Sequence, residues 1–303
     1  MVRRRLRRAV LLVAAGCLCL AAQGCAMIYW TNLGDGTIGR ANLDGTGVNN
    51  GFVSGAGATT NPAVNATYIY WGTAGTIARA NVDGSGVNPN FISGAGTPGT
   101  VTVGGNYIYW GNGANIARAN LDGTGVNMSF ITGIPGGPYF GSASNAASLA
   151  VDGSYIYWAN PNAHEVGRAS LDGTGVNQSF LSFPPQTNAT QYPSSVAVDA
   201  KYFYVGITYA SNTPTLASNI SRTNLDGTGL TQLLTAGQFC VNGGSALYCD
   251  PGGLAVDQSR VYVDNYSPQG TGAGLAVANL DGTGASGPDY VTTGLHPIGL
   301  AVR

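Results

Sequence analysis

The chain has 303 residues, of which only 9% are charged and 47 are glycine. That charge content, far below the roughly 25% usual for soluble domains, accompanies 16 Tyr, 4 Trp and many Val and Ile, so it describes a turn-rich all-β chain with ample core rather than a disordered one. Five of the 13 basic residues are Arg3, Arg4, Arg5, Arg7 and Arg8, leaving eight against 14 acidic residues, a net of −6; no basic face can be assembled, and a nucleic-acid partner is excluded.

The arginine cluster opens an export signal. An apolar run, Ala9–Ala22, follows it and is short for a bilayer span. The run ends in Leu20-Ala-Ala-Gln-Gly-Cys25, which resembles a bacterial lipoprotein signal with Cys25 as the residue to be lipidated. Plain secretion, with cleavage after Gly24 or Ala26, is the alternative. Residues 1–25 are thus read as signal and 26–303 as one domain, exported from a bacterium to its envelope or surroundings. Cys17 and Cys19 leave with the signal, whereas Cys240 and Cys249 remain as a pair suited to a disulfide in an oxidising compartment.

From residue 28 onward one unit recurs six times. Its aromatic strand reads Ile28-Tyr-Trp30, Ile69-Tyr-Trp71, Ile108-Tyr-Trp110, Ile156-Tyr-Trp158, Phe203-Tyr-Val205 and Val261-Tyr-Val263. An Asp-Gly turn follows each, at Asp44, Asp83, Asp122, Asp172, Asp226 and Asp281, with gaps of 39 to 55 residues. Such spacing is that of propeller blades of about 40–50 residues. The fourth copy shows four strands: Ser148–Asp152, Tyr155–Trp158, Glu165–Leu171 and Val176–Leu181. Asp-Gly between strand-like runs marks a hairpin. The second strand is apolar at consecutive positions, as a strand buried on both faces must be. The expected fold is a six-bladed β-propeller of four-stranded antiparallel blades, with no helix.

The Tyr-Trp strand, the Ile-x-Arg-x-x-Leu-Asp-Gly segment and the Leu-Ala-Val-Asp strand together resemble the class B (YWTD) repeats of the low-density-lipoprotein receptor family, which implies the same six-bladed propeller. The aspartate that names the motif is replaced by Asn32, Thr73, Asn112, Asn160, Ile207 and Asn265. Trp is lost in copies five and six, and the repeat arginine (Arg40, Arg79, Arg118, Arg168, Arg222) becomes Val277 in copy six. No receptor-like partner is carried over. The repeat starts at a second strand and stops at a first strand, Gly299–Arg303, so the C-terminal strand must complete the first blade and close the ring.

In such a blade the 4→1 and 2→3 connections share one face. The long segments Gly133–Asn145, Phe183–Pro193, Gly206–Asn219, Gly237–Gly252 and Asn265–Gly274 all fall there. Insertions confined to one face mark a binding face. They carry Tyr139, Phe140, Tyr192, Tyr209, Phe239, Tyr248 and Tyr266 among polar residues, which suits an extracellular protein or glycan. The opposite reading is that these loops drifted and their aromatics pack locally.

Chemistry is harder to find. The Asp-Gly turns offer one carboxylate each, which fits hairpins better than calcium loops. The repeat arginines are expected to bridge blades. Asp152, Asp199 and Asp257 end innermost strands and could hold a cation near the axis, as in lactonase-type propeller enzymes; capping of the following turn is the simpler account. His164 beside Glu165 is a weak acid/base pair, and neither it nor His296 lies in a nucleophile motif. The sequence therefore reads as a monomeric binding or scaffold module that needs no cofactor and meets the membrane only through a lipid at Cys25. A metal-dependent lactonase or lyase centred on the channel is the alternative.

Overall fold

The computed structural model describes residues 26–134, 148–185, 189–211, 218–240, 251–265, 274–292 and 297–303. Among them, 24 strands form six four-stranded antiparallel sheets. Each blade runs outward from its innermost strand; in the fourth these are Leu149–Val151, Tyr155–Asn160, Glu165–Ser170 and Asn177–Ser182. The innermost strands of successive blades touch in cyclic order around an axis. The fold is a six-bladed β-propeller.

Closure is as expected. Pro297–Val302 pairs antiparallel with Met27–Asn32, setting Val302 opposite Ile28 and Leu300 opposite Trp30. Two sheet edges disappear, and the first blade is built from both ends of the repeat.

The consecutive apolar residues of the second strands are explained by packing on both faces. Tyr29, Tyr70, Tyr109, Tyr157, Tyr204 and Tyr262 are all at most 1% exposed, as are Trp30, Trp71, Trp110 and Trp158. Val205 and Val263 fill the Trp position where Trp is missing and are equally buried.

From the third blade onward, arginines tie each blade to the next. The Arg118 guanidinium lies 4.2 Å from the Tyr107 ring and 4.0 Å from that of Phe130, and its Nη1 donates to the Leu171 carbonyl of the next blade at 3.1 Å. Arg168, between Tyr155 and Phe180, donates likewise to Leu225 at 3.0 Å, and Arg222 to Leu280. Stacking on two rings leaves the charge satisfied at small desolvation cost. Where Val277 replaces the arginine, Arg260 from the second strand substitutes. It donates to the Leu43 carbonyl at 3.2 Å and to the Tyr290 hydroxyl at 2.9 Å, joining the sixth blade to the first.

The Asp-Gly turns are hairpins closed by their own side chains. Asp83 Oδ1 accepts from the Ser85 N–H at 2.9 Å and from its hydroxyl at 2.6 Å. Asp44, Asp122, Asp172, Asp226 and Asp281 do the same with Thr46, Thr124, Thr174, Thr228 and Thr283. These hydroxyl bonds first, and the backbone bonds second, hold all six carboxyls below the ordinary carboxylate range. Gly84 shows why glycine follows: its φ is +86°, and a Cβ there would come within 3.0 Å of the Phe52 ring of the preceding blade.

Helix was not expected, yet two short pieces occur, a 3₁₀ turn at Pro161–Ala163 and one α-turn at Ala236–Phe239. The first fills the short 2→3 connection between Asn160 and Glu165, and the second opens a long 4→1 connection. Asn160 Oδ1 caps the first through the Ala163 N–H at 3.3 Å, and Gln238 Oε1 reaches back to the Thr235 N–H of the second at 2.9 Å.

Candidate functional site

The face bearing the 4→1 and 2→3 connections is called the connection face here; the other is the turn face. In the fifth blade the two inner strands outgrow their neighbours. Ala189–Val198 pairs with Tyr202–Ser211 over ten-residue strands, whereas the third strand of that blade begins only at Asn219, opposite Ile207. The rungs from Ala189↔Ser211 to Tyr192↔Thr208 therefore stand beyond the blade as a two-stranded ribbon. At about 3.3 Å per residue its legs project by roughly 13 Å. Segments read from sequence as irregular connections, Phe183–Pro193 and Gly206–Asn219, are thus partly strand.

The expected binding residues have different fates. Tyr192, half-buried, packs on His164 with ring centroids 4.9 Å apart, and His164 Nδ1 lies 2.9 Å from the Gln191 carbonyl oxygen. His164 also has φ +59°, so a strained corner of the fourth blade supports the ribbon's base. Tyr209, half-buried on the other leg, packs on the core between the fourth and fifth blades, and its hydroxyl accepts from Asn219 Nδ2 at 2.9 Å. Phe239 corrects the expectation: it is 0% exposed, sunk between the fifth and sixth blades with Leu234, Val261 and Ala276. The one-turn helix folds it inward, so it offers no surface to a ligand. Tyr139, Phe140, Tyr248, Tyr266, Cys249 and Cys25 lie outside the described residues. Cys240 is half-buried at the end of that helix. Glu165, the other half of the proposed acid/base pair, accepts from the Ser179 hydroxyl at 2.6 Å.

Asp152, Asp199 and Asp257 are turn caps. Each Oδ1 accepts two backbone N–H bonds of the 1→2 turn, for Asp152 both at 2.6 Å, from Ser154 and Tyr155. Each Oδ2 accepts from the buried tyrosine of its own second strand: Tyr157 at 2.9 Å, Tyr204 at 2.8 Å and Tyr262 at 2.9 Å. Burial first, and these carboxylates second, push the three tyrosines well above the ordinary phenol value. At Asp257 burial acts upward, but the bonds from Ser259, Tyr262 and Arg260 outweigh it and the carboxyl titrates low. Asn65 makes the same cap in the second blade, at 2.9 and 2.8 Å. Gly104 cannot, and the Tyr109 hydroxyl beside it is buried without a hydrogen-bond partner.

The axial channel encloses about 170 Å³ and is walled by Ala, Val and Leu of all six innermost strands. Toward the connection face the equivalent positions along these strands hold Asn61, Thr100, Ser148, Ser195, Gly253 and Gly299, of which Asn61, Thr100 and Ser148 give the channel a polar rim. The sequence reading missed a buried acid here. Asp264, 0% exposed, accepts from the Gly253 N–H at 2.6 Å and the Gly299 N–H at 2.5 Å. It spans the sixth blade and the closing strand. A Cβ on Gly299 would lie 2.0 Å from Asn61 Cγ, and one on Gly253 would lie 2.5 Å from Gly299 Cα, so only glycine fits at either position. The signal was present: the equivalent second-strand positions hold Thr31, Gly72, Gly111, Ala159 and Gly206, and only this copy carries a charge. Among the described residues, no three of His, Cys, Asp and Glu gather to hold a metal ion.

No protein-family model matches the chain, and no curated protein sequence matches it. Solved structures do. A chain of a nidogen/laminin complex aligns with TM-score 0.61 at 14% identity, over 91% of this chain and 98% of that one. Regucalcin, a calcium-binding protein from Agrobacterium tumefaciens, aligns with TM-score 0.52 at 12% identity, over 78% and 77%. A gluconolactonase from Xanthomonas campestris aligns with TM-score 0.50 at 17% identity, over 80% and 76%. At such identities the likeness is one of fold, and the neighbours include both assembly partners and an enzyme.

Proposed function

We propose that the chain is an exported binding module, built on a propeller of the YWTD kind, that recognises an extracellular protein or glycan through its connection face and acts as a monomer. The observation that carries this reading is the ribbon of the fifth blade, where the chain builds outward beyond its own sheet. Ordered strands hold Gln191, Tyr192, Thr208 and Tyr209 there as a preformed surface, at low entropic cost on binding. The similarity to a chain of a nidogen/laminin complex supports it at the level of fold. A signal over 1–25, lipid on Cys25 and a Cys240–Cys249 bridge belong to the same reading.

Capture from panels of immobilised glycans and extracellular proteins tests it, with the chain compared to a variant lacking residues 189–192 and 208–211. Their four register pairs leave together, so the blade beneath keeps its pairing. Retention should disappear with the ribbon; a ligand held equally by both forms would overturn the assignment.

A metal-dependent lactonase or lyase is the second reading, favoured by Asp264 and Asn61 flanking Gly299 at the channel rim. It requires a stoichiometric divalent ion and a hydrolase or lyase activity, both lost in Asp264→Asn. Folded protein that binds no such ion removes it.

A further inference from the structure

Five large apolar side chains of the described surface are exposed, and all five hold the same place in the repeat. Val48, Val87, Val126, Val176 and Leu230, at 41–45% exposure, each follow the Asp-Gly-Thr/Ser-Gly turn, and Ala285 completes the set in the sixth blade. They form a ring of apolar tips around the rim of the turn face. Scattered exposed leucines or valines need no explanation, but a ring on one face does.

The chain enters on that same face. The Ala26 carbonyl accepts from the Leu43 N–H at 3.3 Å, the place that Thr67, Asn106, Ser154 and Ser259 carbonyls hold in other blades, at the close of a 1→2 turn. Immediately before it in sequence stand Cys25 and the apolar run Ala9–Ala22. Two residues of extended chain reach at most about 7 Å, so whatever Cys25 is attached to must lie against the turn face.

The charges of this face do not oppose a lipid surface. Among the described residues, nine of its carboxylates (six in Asp-Gly turns, plus Asp152, Asp199 and Asp257) are bonded within their own turns; Arg79, Arg118 and Arg168 are each stacked between two aromatic rings, Arg40 on Phe52 and Arg222 on Tyr202. Arg40, Arg79, Arg118, Arg168, Arg222, Arg260, Arg303 and Lys201 supply eight positive charges against those nine.

We propose that the turn face lies flat on the membrane to which the N-terminal segment is attached, with the ring of apolar tips set into the headgroup layer. The fixed orientation points the ribbon and the channel rim directly away from the bilayer. This rests on the export reading above and adds to it a second contact, made by the folded domain itself.

The test supplies the attachment chemically, so that it is independent of whether cells lipidate Cys25. The chain from Cys25 onward is coupled through that thiol to a maleimide lipid in phosphatidylcholine/phosphatidylglycerol vesicles with brominated acyl chains. Single tryptophans are introduced as Val48→Trp and Val126→Trp on the turn face and as Ala114→Trp in an exposed 2→3 turn of the opposite face. The four native tryptophans are fully buried and give a constant background. Quenching should remove more than about half of the emission added at positions 48 and 126, as expected for groups in the headgroup–acyl boundary, and none at 114. Quenching at 114, or at no position, overturns the proposal, as does protection of the ring by a second copy of the chain in sedimentation. Intact mass of the cell-derived protein tests lipidation separately.

Discussion

Removing the Asp264 carboxylate should open the ring at its seam. Asp264→Ala deletes the acceptor of two short, buried hydrogen bonds, from Gly253 in the sixth blade and Gly299 in the closing strand. A buried N–H left without a partner costs about 1–3 kcal/mol, so two cost about 2–6 kcal/mol. Burying a carboxylate is itself expensive, and its removal returns part of that cost; the donors stay behind, however, and breaking a buried polar set from one side is destabilising on balance. A loss of about 3 kcal/mol is a large share of the roughly 5–15 kcal/mol that holds a domain folded. Urea unfolding should show a lower midpoint at unchanged slope. Hydrogen exchange should quicken first in Pro297–Val302. Asp264→Asn keeps one acceptor but turns an amide toward the other N–H, and should fall between wild type and alanine. If Asp264→Ala unfolds within about 0.5 kcal/mol of wild type, the size usual for neutral surface changes, the carboxylate does not clamp the seam.

Deleting residues 297–303 removes buried Ile298 and Leu300 and strips the partner from Ile28–Trp30; each large side chain contributes about 1.5–3 kcal/mol, so aggregation or a sharp drop in melting temperature is expected, and an unchanged melting curve refutes closure as a source of stability. Alkali should destabilise the fold: Tyr157, Tyr204 and Tyr262 titrate higher folded than unfolded, so their contribution is complete below the ordinary phenol value and declines as pH rises through their folded values, and unfolding free energy independent of pH above about 10 would contradict it. Acid acts with the opposite sign through the six turn aspartates, whose lowered values give stability that is complete above the ordinary carboxylate range and lost as pH falls through their folded values; Asp→Asn at all six should flatten that limb of the curve. Thiol titration of exported, denatured protein should find Cys240 and Cys249 unreactive until reduced, and two free thiols would remove the bridge.

The architecture was readable because each blade is written locally. A Tyr-Trp strand, an arginine strand and an Asp-Gly turn lie within about 40–50 residues and recur, and the seam follows from where the count begins. Capping by Asp152 and bridging by Arg118 were readable for the same reason, since each acts on a neighbour fixed by the repeat. The ribbon was not. Pro193 lacks an N–H and breaks a strand in most contexts, whereas here it sits at a shift in the register between Pro193 and Ser195, the kind of irregularity at which a strand accepts proline. Phe239 departs from the expectation because the one helix signal, the Thr235-x-x-Gln238 capping box, opens a single turn inside a long connection, and that turn carries the ring inward. Asp264 and Arg260 depend on departures in other copies, a glycine pair and a lost arginine, and their meaning appears only when the sixth blade meets the first.

The Arg303 N–H donates to the Met27 carbonyl at 3.0 Å, just as that of Asn65 does to Tyr68, at 3.0 Å, across the two-residue turn Ala66-Thr67. The propeller is therefore a circle in all but its covalent bond. Joining 303 to 27 through two residues would write one more ordinary hairpin, and cutting any other 1→2 turn would yield a permuted chain with the same blades. The order in which this polypeptide visits its blades is a property of where the circle was cut, and a permutant opened at Gly153 should reach the same ring by a different folding route.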